Sequence, residues 1–185
     1  MKAGVLALQG DFREHAAMFS ACGATPVFVR TPEDVAAVDC LAIPGGESTT
    51  IGKLAARYEL VEPIRARVEQ GMPVFGTCAG MIVMAERVDG GTPLLSVLDI
   101  NVRRNAYGRQ VDSFETDIDV KGVGPVRAVF IRAPVVEEVG LGVDVLAEYE
   151  GTPVVVQHDN LLAASFHPEM AGDARLHERL LDLAR

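Results

Sequence analysis

Cys78 lies between two glycines in Gly76-Thr77-Cys78-Ala79-Gly80, at the end of an apolar run from Val74 and just ahead of a helix-forming segment. A strand-to-helix turn is how a chain presents a nucleophile. Small neighbours let the backbone bend sharply, and the unpaired N–H groups at the helix start favour thiolate over thiol. A cysteine nucleophile needs a base and a group that orients the base. Of the four histidines, His15, His158, His167 and His177, the third follows the apolar stretch Leu161-Leu162-Ala163-Ala164-Ser165-Phe166 and precedes Pro168-Glu169. That places His167 just past the carboxyl end of a strand, the edge at which open α/β sheets build their sites. Pro168 stiffens the turn, so Glu169 can point back at the imidazole and fix its tautomer. Cys78, His167 and Glu169 then form a nucleophile–base–orienter triad.

A third piece is Pro44-Gly45-Gly46-Glu47-Ser48-Thr49-Thr50, also at the end of an apolar run. Gly45 and Gly46 free the backbone to aim N–H groups at a developing oxyanion, and Ser48 reads as the N-cap of the helix that follows. A phosphate loop is the rival reading, but the spacing fits no Walker or dinucleotide pattern. The oxyanion role is preferred because this loop and the cysteine turn fall at the same sheet edge.

The elements that must position these residues alternate. Strands are expected at Val5–Leu8, Pro26–Val29, Asp39–Ile43 and Val74–Thr77, with helices from about Asp11 to Cys22, Thr31 to Ala37, Ser48 to Tyr58 and Leu60 to Gln70. On the first helix Phe12, Ala16, Phe19 and Met18 mark the buried stripe; on the second, Thr31 caps and Pro32 takes the first helical position. This rhythm predicts an α/β fold with a mostly parallel central sheet covered on both faces. After Glu86 come consecutive strand candidates, Val97–Val102, Phe114–Ile118, Val126–Ile131, Val143–Tyr149, Pro153–Gln157 and Leu161–Phe166, which predict an antiparallel extension whose last strand returns to the main sheet. An amphipathic helix, Ala174–Leu183, ends the pattern. No repeat or linker divides residues 1–185, so a single domain is expected.

Composition narrows the class. The formal net charge of −9 argues against nucleic acid or an anionic membrane as the main partner. No apolar run approaches the ~20 residues of a membrane span, and Met1–Leu8 reads as a first strand and not as a signal peptide. Cysteines at 22, 40 and 78 give no disulfide framework and no metal-type spacing, which fits free thiols in a cytoplasmic protein. Cys22 and Cys40 read as small buried hydrophobes.

Gly76–Gly80 together with His167-Pro168-Glu169 resembles the class I, triad-type glutamine amidotransferases, which hydrolyse glutamine to glutamate and ammonia on a flavodoxin-like three-layer sandwich. Leu8-Gln9-Gly10-Asp11, Glu14-His15, the 44–50 loop, the segment from Arg104 through Arg109 and Asp112 to Phe114, and Phe130-Ile131-Arg132-Ala133-Pro134 resemble, more narrowly, the glutaminase-subunit family of pyridoxal 5′-phosphate synthase. The resemblance runs from residue 5 to about 170. It implies that Cys78 forms a γ-glutamyl thioester, that His167 moves the protons and that Glu169 orients it. It also implies an oxyanion hole at Gly45, Gly46 and Ala79, and L-glutamine held by Gly46, Glu47, Ser48, Arg104, Ile131 and Arg132. An arginine suits the substrate carboxylate, which it grips bidentately. The implied partner is a synthase subunit that receives the ammonia for vitamin B6 synthesis, in a large hetero-oligomer with one glutaminase per synthase subunit; no cofactor and no metal are implied.

Several residues keep two readings. His15 is either an exposed helical residue or a contact with the synthase. Arg109 and Asp112 are either substrate groups or a structural ion pair. His158 reads as a loop residue, His177 as part of a solvated helix face, and Glu33-Asp34 and Glu137-Glu138 as solvated acidic runs. Gln157-His158-Asp159-Asn160 departs from the family pattern and is expected to alter a hairpin turn. The competing functions are a stand-alone cysteine hydrolase such as a γ-glutamyl peptidase, and a non-catalytic binding module of the flavodoxin-like type. The 44–50 loop is expected not to be ready in the free subunit, since paired glycines let a peptide flip at little steric cost.

Overall fold

Short strands that are apolar on both faces need a layer of helices or sheet on each side. The computed structural model, which describes residues 1–104 and 113–185, is built this way. The chain runs β1 (Lys2–Leu6), α1 (Phe12–Ala21), β2 (Thr25–Val29), α2 (Pro32–Ala36), β3 (Cys40–Ile43), α3 (Ser48–Arg57), α4 (Val61–Glu69), β4 (Val74–Thr77) and α5 (Ala79–Met84). It continues through β5 (Ala85–Asp89), β6 (Leu98–Arg103), β7 (Phe114–Val120), β8 (Gly124–Phe130), β9 (Val135–Val139), β10 (Asp144–Tyr149), β11 (Thr152–His158), β12 (Leu161–Ala164), a single 3₁₀ turn (Glu169–Ala171) and α6 (Arg175–Leu183).

The main sheet has the order β10-β11-β12-β4-β3-β1-β2. From β12 to β2 every pairing is parallel, and β10, β11 and β12 form the antiparallel extension. As expected, the last strand returns to the centre, where Leu161–Ala164 pairs with Val74–Thr77. Side chains alternate between the two faces with the strand period of two. Leu6, Leu41, Ile43 and Val74 pack on one face with Ile51, Ile64, Met81 and Met84 from α3, α4 and α5. Val5, Ala42, Phe75 and Leu162 pack on the other with Ala16 and Phe19 of α1 and Leu176, Leu180 and Leu181 of α6. That arrangement is the three-layer sandwich.

Local chemistry sets several boundaries. Thr31 caps α2 in a full capping box with Asp34, so this acidic pair is a helix start and not merely a solvated run. Two strands were not expected. β5 begins directly after α5 and carries charged Glu86 and Arg87, while β9 contains Glu137-Glu138. Both flank β6 in a small second sheet, where Arg103 pairs with Glu137 across the strands. The departure at residues 157–160 is a tight β11–β12 hairpin with His158 opposite Leu161 and Asp159 at φ 49°. It lies at the end of β12 remote from His167. No described helix is long and apolar enough to cross a membrane.

Candidate active site

β1, β3, β4 and β12 are neighbouring parallel strands, so the chain leaves all four at one edge. From there β1 delivers Gln9, Gly10 and Asp11, β3 delivers Gly45 to Ser48, β4 delivers Cys78, and β12 delivers His167 and Glu169. The elbow at Cys78 is strained: its φ of 49° and ψ of −105° are rare for any residue with a Cβ. Gly80 makes the elbow possible, because a Cβ there would fall well under 3.0 Å from the Ile43 carbonyl oxygen. Without side chain at 80, the first turn of α5 lies against the end of β3. The Cys78 N–H is used by the Ala164 carbonyl at 2.9 Å. An oxyanion donor from this turn must therefore come from Ala79, at the head of the helix.

His167 is 5% exposed and Glu169 is 3% exposed. Their contact is short, with His167 Nδ1 2.7 Å from Glu169 Oε1. A second carboxylate shares that nitrogen, since Asp11 Oδ2 lies 3.2 Å away. Burial alone would lower the imidazole pKa, but hydrogen bonds to Asp11, Cys78 and Glu169 together raise it well above the ordinary value. The reciprocal bond from His167 lowers the Asp11 pKa. Cys78 Sγ is 3.8 Å from the Ile131 carbonyl, which also faces the cleft. By contrast, burial pushes the Cys40 thiol up to about 12, in keeping with its reading as a buried hydrophobe. Cys22 is only half-buried after α1, its thiol raised less by partial burial and by the Glu178 charge.

The cleft in front of Cys78 has a volume of about 410 Å³ and is lined by Gly46, Glu47, Ser48, Ala79, Arg104, Ile131, Arg132 and His167, together with Gln9, Asp11, Ile82 and Met170. The glutamine-holding residues expected from the sequence are thus brought together. Glu169 stands behind His167, and Gly45 approaches the imidazole so closely that a Cβ on it would collide with Cε1. One expectation needs correction: the N-cap of α3 is Glu47 and not Ser48. The Glu47 carboxylate accepts from the Thr49 and Thr50 N–H groups at 3.0 and 2.7 Å and from the Thr50 hydroxyl, bonds that outweigh burial and lower its pKa to about 2. Arg104 binds the same carboxylate at 3.1 Å, and Gln9 Oε1 accepts from the Glu47 N–H at 2.7 Å. Arg109, Asp112 and most of the 104–114 segment lie outside the described residues.

Asp11, Gln9, His15 and His177 had no place in the sequence-based site. Asp11 and Gln9 carried a signal, because they follow the carboxyl end of β1. His15 is neither exposed nor available to a partner, and His177 is not on a solvated face: both are 0% exposed. Burial pushes their pKa values down to about 4 and about 3, partly opposed for His15 by the Glu169 charge. Unfolded histidines bind protons near pH ~6.5 while the folded ones stay neutral, so stability falls as pH drops from 6.5 toward 4. At pH 5 the loss is on the order of 2 kcal/mol for each histidine. Thermal denaturation should show a lower Tm at pH 5 than at pH 7, and a His177→Leu variant should show a smaller drop.

Asp11, His167 and Glu169 offer ligand-type atoms within 4.8 Å of one another. The nitrogen involved is the one that donates to both carboxylates, and a proton there leaves no lone pair for a cation.

A cysteine elbow and a histidine–glutamate pair meeting at the carboxyl edge of a doubly covered parallel sheet make the arrangement expected of a triad-type amidotransferase. The chain belongs to the SNO glutamine amidotransferase family, whose model matches residues 5–183. It is 57% identical over 187 residues to the pyridoxal 5′-phosphate synthase subunit PdxT of Frankia casuarinae, covering 98% of this chain and 94% of that one. Identity to the protein of the same name from Streptomyces avermitilis is 55%, with 98% and 93% covered. A crystal structure of a glutamine amidotransferase superposes with a TM-score of 0.94 at 50% identity, covering 98% of each chain. The structure of PurLQS from Thermotoga maritima, 15% identical with a TM-score of 0.68 and covering 100% of this chain and 98% of that one, shares the fold.

Proposed function

We propose that the chain is a single-domain glutaminase that hydrolyses L-glutamine to L-glutamate and ammonia and passes the ammonia to a synthase subunit for pyridoxal 5′-phosphate synthesis. The observation that carries this reading is that Cys78 and His167 line one cleft while the His167 Nδ1 is bound, at 2.7 Å, to the buried Glu169 carboxylate. The Cys78 thiolate adds to the side-chain amide carbon, and N–H groups of Ala79 and the Gly45–Gly46 loop receive the oxyanion. His167 gives its proton to the departing nitrogen, leaving a γ-glutamyl thioester. It then takes a proton from water as the water attacks that thioester, and glutamate leaves as the thiolate is restored. Glu169 holds the ring in one orientation throughout.

Family membership and the 54–57% identity to proteins named as synthase subunits support the partner assignment. One glutaminase per synthase subunit in a large hetero-oligomer is the assembly proposed. The loop is proposed to complete its oxyanion donors only on binding the synthase. The Gly45 carbonyl is tethered by a long bond from the Asp11 N–H, 3.4 Å, and Gly46 stands at φ 144°, so the peptide between them can rotate at low cost. Ammonia release from glutamine, measured with and without the synthase subunit, tests the reading. A large increase on adding the synthase supports it, while high turnover of γ-glutamyl peptides by the chain alone overturns it.

Arg104 is proposed to hold the substrate carboxylate, with Glu47 keeping its guanidinium in place. Arg104→Ala should raise KM for glutamine by about 10-fold or more and leave kcat within about 3-fold, the pattern for lost ground-state binding. Steady-state kinetics of the complex reads both constants.

A further inference from the structure

His15 on α1 and His177 on α6 meet beside Thr77 at the end of β4, on the sheet face covered by those two helices. His15 Nδ1 lies 2.8 Å from His177 Nε2, and His15 Nε2 lies 3.0 Å from Thr77 Oγ1. The same Nε2 is 3.6 Å from Glu169 Oε1, the oxygen bound to His167. Phe19 and Phe75 pack edge-on against the pair, so the array is dry and its dipoles act with little screening.

The partners fix the tautomers, which are assigned here from the network. Suppose His15 carried its proton on Nδ1. Its bare Nε2 lone pair would then face a carboxylate oxygen. His177 would also hold its own proton on Nδ1, an atom with no hydrogen-bond partner among the described residues. An orphaned donor and a lone pair against an anion are both unfavourable when buried. Protons on Nε2 of both rings remove the lone pair from the carboxylate and leave His177 Nδ1 as an unpaired acceptor, which burial tolerates better than an unpaired donor. His177 Nε2–H donates to His15 Nδ1, while His15 Nε2–H donates to Thr77 and turns its positive end toward Glu169. The two N–H dipoles run in series toward the carboxylate.

We infer that His15 is a positioning residue for the triad: through its Nε2–H it fixes Glu169 against His167, and His177 fixes the tautomer that lets it do so. The inference rests on the triad being the reactive unit. The other titratable groups acting on His15 are Asp11 at the head of α1 and His167 after β12. Glu169 Oε2 has no hydrogen-bond partner among the described residues, so the polar contacts of this carboxylate gather at Oε1, with His167 Nδ1 at 2.7 Å and His15 Nε2 at 3.6 Å.

The test uses the pH dependence of Cys78 alkylation by iodoacetamide, read by mass spectrometry on the folded chain without glutamine or synthase. Weakening Glu169 makes the imidazolium a poorer partner for the thiolate, so alkylation must need a higher pH. His15→Leu should move the midpoint up by about one pH unit and lower kcat for ammonia release about 10- to 100-fold, with KM within about 2-fold. His15→Gln, whose amide can reach the Nε2 position, should recover most of both effects. A folded His15→Leu protein with an unchanged alkylation midpoint overturns the inference, and so does failure of His15→Gln to recover it. If His15→Leu does not fold, His177→Leu decides: a smaller upward shift supports the inference, and no shift overturns it. Loss of glutaminase activity in the unaltered protein, with the His15-dependent midpoint intact, would overturn the glutaminase reading alone.

Discussion

Cys78→Ala eliminates ammonia release, lowering turnover on the order of 10⁴-fold or more, because covalent catalysis is lost along with the group that anchors the charge on His167. The protein should otherwise survive. The side chain is 7% exposed at the floor of an open cleft, so its truncation leaves no sealed cavity and changes stability by about 1 kcal/mol or less. Adding His167→Ala to this variant should reduce the rate little further, since residues that act as one unit are not additive. A γ-glutamyl electrophile should label the unaltered protein once, at Cys78. Burial raises the Cys22 and Cys40 thiols, and the latter to about 12, so neither competes at neutral pH. Retention of more than about 1% of turnover by Cys78→Ala would remove the thioester from the mechanism and leave the water-activating role of His167 to be explained anew.

The meeting of Cys78, His167 and Glu169 at one sheet edge was legible because each announces itself within a few residues: a glycine-flanked cysteine after an apolar run, and a histidine two residues before a glutamate after another. The rule that sites gather at the carboxyl edge of a parallel sheet then joined two motifs that lie far apart in the chain. His15 and His177 were misread for the opposite reason. Their burial depends on α1 packing beside α6 across 162 residues of sequence, which no local pattern records. A trace was present nonetheless. His15 falls at helical spacing from Phe12 and Phe19, and His177 from Leu180 and Leu181, so each histidine lies on its helix's apolar stripe. A polar residue on such a stripe must find a buried partner, and here each is the other's. β5 and β9 escaped because charges at Glu86, Arg87, Glu137 and Glu138 mask strands whose pairing groups serve a small, half-exposed sheet. The mistaken cap at Ser48 has a similar source. Residue preferences favour serine, but Glu47 reaches two N–H groups and a hydroxyl at once.

Gly10→Ala should be the most damaging substitution outside the triad, and it isolates the contribution of the oxyanion loop. Gly10 sits at φ 94°, and a Cβ there would fall well under 3.0 Å from the Gly45 carbonyl oxygen. Backbone against backbone gives no rotamer by which to escape. The loop from Gly45 to Glu47 must therefore shift away from β1, taking the Gly46 N–H with it and breaking the bond from Glu47 to Gln9. Loss of one well-placed oxyanion donor lowers kcat by about 10²- to 10³-fold. Left-handed backbone strain accompanies it at about 1–2 kcal/mol, which would also lower Tm by several degrees. Gly71→Ala separates the two effects. Its φ of 95° matches that of Gly10, but nothing lies within 4 Å of a Cβ there, at the far end of α4 from the cleft. It should show the same loss of Tm with kcat unchanged. If both variants lose stability equally and both keep full kcat in the complex, the Gly45–Gly46 peptide does not serve the oxyanion, and Ala79 with a group from outside the chain must do so.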